Sequence, residues 1–310
     1  MSKLYKIKLE NKFVFEDIFY NILQWFFLIK MDKYTQPIPS ERDNNAITIS
    51  VLWHSTVLIN LYWYWIITDP VLFDKVGLQI WRWKIGMKRI KPLAIDLDNI
   101  PKIDLILLSH THMDHLDIQS IKRLSGKNFG DIKIICSHNT SKILKNIKGI
   151  SQIHELDRDK SIEIDDINIK SFETKHRWAR RPWQKGKHTR WSDKSHSYNA
   201  YMINSRSKSI FFGGDTAYTD IYKNTVDPTD VAIMPIWAYH PWIHSHCDPH
   251  QALDMALDLK AKYFIPIHCE TFRLGHEHIN EPREIISHII KDHEDIKVGS
   301  KYIWDILVLK

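Results

Sequence analysis

The feature that most restricts what this chain can become is a largely apolar run, Ile103-Asp104-Leu105-Ile106-Leu107-Leu108, followed at once by Ser109-His110-Thr111-His112-Met113-Asp114-His115-Leu116-Asp117. Such a run suits a buried strand, so the polar residues behind it belong to the loop at the strand's C-terminal end. His110 and His112 are two apart, and a loop can turn both imidazoles toward one point. Asp114 and His115 come slightly later and can address a second ion, or water held by the first. A lone His after a strand is normally packed or solvated. Three His and one Asp within six residues are different, because burying them without a partner is costly.

Three other segments end strands with ligand-type residues. Phe211-Phe212-Gly213-Gly214-Asp215-Thr216 closes with a Gly pair and an Asp, which leaves room for close backbone approach. Ile265-Pro266-Ile267-His268 ends with His, and Ile169 to His176 ends with another. Each alone is weak, and Gly213-Gly214-Asp215 alone reads as a turn. Together they describe a binuclear site fed from distant parts of the sequence by a rigid sheet.

The rest of the chain fits that picture. With 310 residues, 44% apolar and 26% charged, it is no disordered tail, collagen-like repeat or disulfide scaffold. A formal net charge of +6 favours anionic partners such as phosphate esters, anionic lipid or nucleic acid. Cys136, Cys247 and Cys269 form no CxxC pair, which points to a reducing, cytoplasmic setting. Phe15, Ile18, Phe19, Ile22, Leu23 and Phe26 recur at helical spacing, so residues 13–30 read as an amphipathic helix flanked by basic residues. It is either laid in a membrane interface or packed on its own domain. Its uncharged stretch, Ile18 to Ile29, is shorter than the ~20 residues a spanning helix needs. A polar linker over 31–46 follows, so the expected division is 1–46 (helix and linker) and 47–310 (the main domain). From Ile47 onward short strands alternate with turns: Ile47 to Ile59 and Tyr62 to Thr68 as a hairpin around Asn60, Ile132 to Cys136, Ser161 to Phe172, Tyr198 to Ile203, Ser209 to Phe212, Val231 to Pro235 and Tyr263 to Ile267. Ile118 to Leu124 and Pro249 to Leu259 read as helices. Two sheets sandwiched between helices are expected.

In its HxHxDH motif (His110, His112, Asp114, His115) the sequence resembles the metallo-β-lactamase fold superfamily. Within it, the chain is most similar to the N-acyl-phosphatidylethanolamine-hydrolysing phospholipase D family. The matching stretches are Thr68-Asp69-Pro70, Ser109 to Asp117, Phe212 to Tyr218, Met234 to Tyr239, His246 to Pro249, Ile267 to Phe272 and His278 to Pro282, so the likeness spans roughly Ile47 to Glu284. It implies an α/β fold, a four-layer αββα sandwich preceded here by the amphipathic helix. It also implies two divalent metal ions, zinc first, with manganese or iron suited to mixed His/carboxylate ligands too. By the resemblance, His110, His112 and His176 hold one ion, Asp114, His115 and His268 the other, and Asp215 bridges them. Asp69 and His54 stand behind the ligands, and His246 contacts a substrate phosphate. A dimer is implied as well. Two departures stand out: Trp53 where the family has Gly before the His of its Gly-His-Ser/Thr-Thr segment, and Glu270 in place of a Gly.

The resemblance implies a hydrolase in which water ionised by zinc is the nucleophile, with Asp114, Asp215 and His246 the catalytic residues; no Ser, Cys or Lys nucleophile is evident. Trp81-Arg82-Trp83-Lys84 and Arg177-Trp178-Ala179-Arg180-Arg181-Pro182-Trp183 combine aromatic and basic residues. That combination suits phospholipid headgroups at a membrane interface and, less well in this context, single-stranded nucleic acid. Arg177 and Trp178 are the candidate substrate contacts. The expected activity is a phospholipase D type phosphodiesterase on N-acyl phosphatidylethanolamine or a similar phospholipid, with peripheral contact to the inner face of a membrane. The alternatives are a lactonase, esterase or nuclease on the same metal site, and a non-catalytic metal-binding, membrane-associated protein.

Overall fold

The computed structural model describes residues 46–81, 83–127, 130–176, 198–224 and 228–309. The expected N-terminal helix, its linker up to residue 45, and Arg177 and Trp178 lie outside these residues. Two seven-stranded sheets face one another. The first contains β1 (Ile47–Trp53), β2 (Thr56–Leu61), β3 (Tyr64–Thr68), β6 (Leu105–Leu108), β7 (Ile132–Ser137), β8 (Ile150–Leu156) and β16 (Ile306–Leu309), in the order β16-β1-β2-β3-β6-β7-β8. The second contains β9 (Ser161–Ile164), β10 (Ile167–Glu173), β11 (Asn199–Ser205), β12 (Lys208–Phe212), β13 (Val231–Pro235), β14 (Tyr263–Ile267) and β15 (Lys297–Val298), in the order β15-β14-β13-β12-β11-β10-β9. A separate hairpin, β4 (Lys75–Ile80) and β5 (Trp83–Lys88), stands apart from both.

Period-2 patterning explains the layering, since alternate side chains of a strand face opposite ways. Along β6, Leu105 and Leu107 enter the core between the sheets, while Ile106 and Leu108 join an outer cluster. β6 is apolar at every position because both of its faces are covered. That outer cluster takes Ile121 and Leu124 from α1 (Ile118–Lys127) and Leu144 from α2 (Ser141–Leu144). On the far face of the second sheet, Ala252, Leu253, Met255 and Ala256 of α3 (Pro249–Asp258) and Ile286 of α4 (Glu281–Ile289) pack against Phe211, Ala232, Met234 and Phe264. Helix, sheet, sheet, helix is the four-layer sandwich expected from the sequence. The N-terminus of α3 is fixed by a capping box: Asp248 accepts from Gln251 N at 2.9 Å, and Pro249 starts the helix.

Both sheets begin as antiparallel meanders and finish parallel: β3-β6-β7-β8 in the first, β12-β13-β14-β15 in the second. Parallel strands all point their carboxyl ends the same way, and open α/β sheets place their ligands beyond those ends. Three details differ from the sequence reading. Ser161 to Phe172, read as one run, is the two strands β9 and β10 with a turn at Asp165-Asp166. The run Ile47 to Ile59 is two strands, because the chain reverses at His54-Ser55 rather than at Asn60; a second turn at Tyr62-Trp63 leads into β3. The β4–β5 hairpin, which is not among the strands expected from the sequence, is regular. Cys136, Cys247 and Cys269 are buried and free.

Candidate metal centre

Six strands deliver their following residues to one edge of the sandwich. His54 follows β1, Asp69 follows β3, Ser109 to His115 follow β6, His176 follows β10, Asp215 follows β12, and His268 follows β14. Two groups of ligand-type atoms result. His110, His112, His176 and Asp215 have donor atoms within 4.8 Å of one another, and so do His54, Asp114, His115 and His268. Asp215 Oδ2 sits between the groups. It lies 3.1 Å from His115 Nε2, 3.2 Å from His268 Nε2, 3.8 Å from His176 Nε2 and 3.9 Å from His110 Nε2. Asp114 Oδ2 is 3.2 Å from His54 Nε2, 3.7 Å from His268 Nε2 and 3.8 Å from His115 Nε2. His246, at the end of the loop before α3, places Nδ1 3.9 Å from Asp215 Oδ2 and stacks on His268.

Hydrogen bonds behind the cluster decide which imidazole nitrogens point inward. Asp69 is fully buried and accepts from Ser109 N at 2.7 Å, from Ser109 Oγ at 2.5 Å and from His115 Nδ1 at 2.7 Å. Since the Ser109 hydroxyl gives its proton to Asp69, its oxygen accepts from His110 Nδ1 at 2.9 Å. His176 Nδ1 donates to the Ser245 carbonyl at 2.6 Å. In His110 and His176 the proton is thereby held on Nδ1 and the Nε2 lone pair is left for the centre, and in His115 the Nδ1–H bond to Asp69 turns Nε2 inward, the arrangement by which outer carboxylates and carbonyls orient metal-binding histidines. Ser109, Ser245 and Thr271 were not singled out from the sequence. Thr271, whose Oγ1 lies 2.5 Å from His54 Nδ1, is seen only once β1 and the loop after β14 come together. Ser109 had a signal, standing directly before the motif.

The residues fit a cation pair. His110 Nε2, His112 Nε2, His246 Nδ1 and Asp215 Oδ1 are buried with no hydrogen-bond partner among the described residues. Buried polar atoms are nearly always paired in proteins, and four such atoms converging on one spot mark a place for electron-pair acceptors. Electrostatics agrees. Burial first of all lowers the pKa of His110, His112 and His176, that of His112 to about 3, so these are neutral imidazoles with lone pairs to give. His115 and His268 are also buried, but Asp215 and Asp114 beside them raise their pKa above the usual histidine value. The same contacts hold Asp114 and Asp215 well below the usual carboxylate range, against the burial that would raise them.

The backbone is strained where it matters. His54, Asp69 and His268 have φ of +51°, +35° and +65°, a region that residues other than Gly enter at a cost and mostly at functional positions. Gly214, φ +58°, is irreplaceable for a second reason: a Cβ there would lie 2.7 Å from Ser109 Cβ. The two departures are accommodated in the same way. Trp53 is buried, edge-on to Phe272 at 5.9 Å and beneath the Arg89 guanidinium at 5.2 Å. Glu270 has φ +60°, and its carboxylate lies 3.1 Å from both Lys91 Nζ and Arg283 Nε. Tyr198 closes one side of the cluster, its ring 5.1 Å from that of His176 and 5.4 Å from that of His110.

A family model described as the beta-lactamase superfamily domain matches residues 64–269. The chain is 29% identical over 259 residues to N-acyl-phosphatidylethanolamine-hydrolyzing phospholipase D 1 of Caenorhabditis elegans, covering 79% of this chain and 70% of that protein. It is also 29% identical over 231 residues to the mitochondrial N-acyl-phosphatidylethanolamine-hydrolyzing phospholipase D of Saccharomyces cerevisiae, covering 71% of this chain and 46% of that protein. Among solved structures, a metallo hydrolase of the archaeon Ignicoccus hospitalis superposes with a TM-score of 0.60 at 18% identity, covering 86% of this chain and 99% of that one.

Proposed function

The chain belongs to the beta-lactamase superfamily, and from that premise we propose that it is a metal-dependent hydrolase with two cations, zinc first, acting as a phospholipase D type phosphodiesterase on N-acyl phosphatidylethanolamine or a similar phospholipid. The observation that carries this reading is the placement of Asp215 Oδ2 between two four-residue donor groups. In the proposed assignment His110, His112 and His176 hold one ion, Asp114, His115 and His268 the other, and Asp215 serves both. The names carried by the worm and yeast relatives support the choice of substrate.

When bound, such a pair supplies Lewis acidity and brings the ionisation of water to near neutral pH. The chain's own residues do the rest. Asp69 and Ser109 keep His115 and His110 presenting Nε2, so the donor geometry is set before substrate arrives. His54, held by Thr271, fixes the Asp114 carboxylate from behind. His246, like His54, is an imidazole of the cluster with no assigned ion. Burial keeps its pKa well below the usual value, so it meets a phosphoryl oxygen as a neutral group that donates a hydrogen bond through its one ring N–H. Arg177 and Trp178 follow His176 directly in sequence and are proposed as headgroup contacts.

The test is metal content per chain measured together with hydrolysis of a panel: an N-acyl phosphatidylethanolamine, a soluble phosphodiester, a lactone and single-stranded DNA. Two metal equivalents are expected, together with cleavage on the headgroup side of the phosphate, which leaves the phosphate on the glycerolipid as phosphatidic acid and frees the N-acylethanolamine. Turnover of the lactone or the DNA alone would replace the lipid reading, and a chain that takes up no metal would end it.

A further inference from the structure

The β4–β5 hairpin has no role in the site just described, yet it is tied to the site from two sides. Ile90, just past β5, donates its N–H to the Thr271 carbonyl at 2.7 Å, and Lys84 Nζ reaches Asp117 Oδ1 at 2.6 Å, directly behind the histidine motif. Register pairs Val76 with Met87 and Leu78 with Ile85 on one face, and Lys75 with Lys88 on the other. The hairpin is therefore amphipathic across its thickness. Its apolar face starts inside the protein, where Val76 joins Trp53 and Phe272, and Phe272 lies against His54 at 5.2 Å. From there the stripe runs outward and loses its cover: Val76 is 2% exposed, Met87 38%, Ile85 61% and Trp81, in the connection between the strands, 85%. Trp81 also holds φ +53°, where a tight hairpin ordinarily places Asn, Asp or Gly. A bulky residue in that conformation is an outlier that calls for a function.

We propose that this hairpin is a docking arm that lays the chain on anionic phospholipid surfaces, with Trp81 and Ile85 entering the interface while Lys75 and Lys88, on the opposite face at its base, add long-range attraction to lipid phosphates. Tryptophan at a tip and exposed apolar side chains behind it match a bilayer's boundary in polarity, and a net charge of +6 favours an anionic one. No helix among the described residues is long and apolar enough to cross a membrane, and an arm of this kind gives peripheral, reversible attachment instead. Because its base is built into the His54 and Thr271 loops, docking brings the histidine cluster to the lipid surface; in that consequence the inference rests on the phospholipid reading above. The Gly77–Gly86 pair lets the two strands approach closely, since a Cβ at either position would lie about 2 Å from the opposite backbone.

The test uses the full chain in flotation with phosphatidylglycerol-rich vesicles and with phosphatidylcholine vesicles. Wild type is expected to float with the former and weakly with the latter. Trp81→Ser with Ile85→Ser should weaken partitioning at least about tenfold on both. Lys75→Ala with Lys88→Ala should weaken it about tenfold on the anionic vesicles alone. Metal content, melting temperature and turnover of a soluble phosphodiester should stay at wild-type values in both variants. Undiminished flotation of both variants would overturn the inference. So would hairpin-dependent binding of single-stranded DNA, or hairpin-dependent self-association, without vesicle binding. If wild type turns over no phosphodiester but the flotation pattern holds, the phospholipase reading fails while the docking arm stands.

Discussion

Replacing Asp69 by Asn tests whether the donors of the metal centre are set from behind. The substitution keeps size and shape but exchanges one carboxylate oxygen for an NH2. Asp69 is buried and accepts three hydrogen bonds, from Ser109 N, Ser109 Oγ and His115 Nδ1, at 2.5–2.7 Å. Asn has one oxygen, so at least one of those donors meets another donor. An unsatisfied buried donor costs about 1–3 kcal/mol, and more where a charge is involved. His115, whose pKa the neighbouring carboxylates raise, also loses a countercharge. The metal-free variant should be less stable by about 2–3 kcal/mol, or roughly 4–10 °C in Tm for a domain of this size. With the Nδ1 acceptor weakened, His115 and, through Ser109, His110 are freed to rotate, and metal affinity should fall about 10–100-fold. Thermal melts of the metal-free protein and competition against a fluorescent chelator give the two numbers. Asp131→Asn, which breaks only an exposed pair with Lys102, is the control and should change stability by less than about 0.5 kcal/mol. If Asp69→Asn binds metal within about twofold of wild type and melts within about 1 °C, the reasoning about the Asp69–Ser109–His110 relay is wrong.

Four further outcomes are expected. Loading metal at pH 7 should expel protons, chiefly from His115 and also from His268, whose pKa values the neighbouring carboxylates raise in the metal-free fold; calorimetry in buffers of different ionisation enthalpy detects them. Metal-free protein should lose stability as pH falls from about 6.5 toward 3, because the unfolded chain protonates His54 and His112 while the fold keeps both pKa values near 3; the slope is about 1.4 kcal/mol per pH unit for each, read from denaturant melts across pH. His246→Ala should keep its metal and lose turnover by about 100-fold or more, as removal of a hydrogen-bond donor from a developing oxyanion does; unchanged kcat would remove His246 from the reaction. Gly214→Ala, which forces a Cβ against Ser109 at a left-handed φ, should cost about 1–3 kcal/mol and lower metal occupancy, seen by melts and metal analysis.

Much of this was legible in the sequence because it was written in strand endings. The apolar stretch before His110, the Gly pair before Asp215 and the Ile-Pro-Ile before His268 each announce a buried strand whose next residue leaves the sheet, and the resemblance supplied the grouping. Patterning also carried the four layers. What stayed hidden depends on contacts between distant segments. Thr271 is an ordinary hydroxyl until β1 and the loop after β14 place it 2.5 Å from His54. The reversal at His54-Ser55 lacks Gly, Pro or Asn, so turn chemistry pointed to Asn60 instead; the price is a histidine at φ +51°, visible only as a backbone angle. The β4–β5 hairpin was masked by its own composition: a Trp at its turn, and a Gly pair inside the strands, are not the usual marks of regular structure.

The donors come from both sheets: His54, Asp69 and His110 to His115 from one, His176, Asp215 and His268 from the other. Few direct bonds clasp the two along this edge: Asn199 N to Ser109 O at 3.0 Å, Tyr201 Oη to Leu108 O at 2.8 Å, His268 N to His54 O at 3.1 Å. Neither half of the polypeptide, folded by itself, would own a complete set of ligands. Ions seated here would act as rivets across a joint, so that a volume change deep between the layers, far from any histidine, would register as a misfit at the rim.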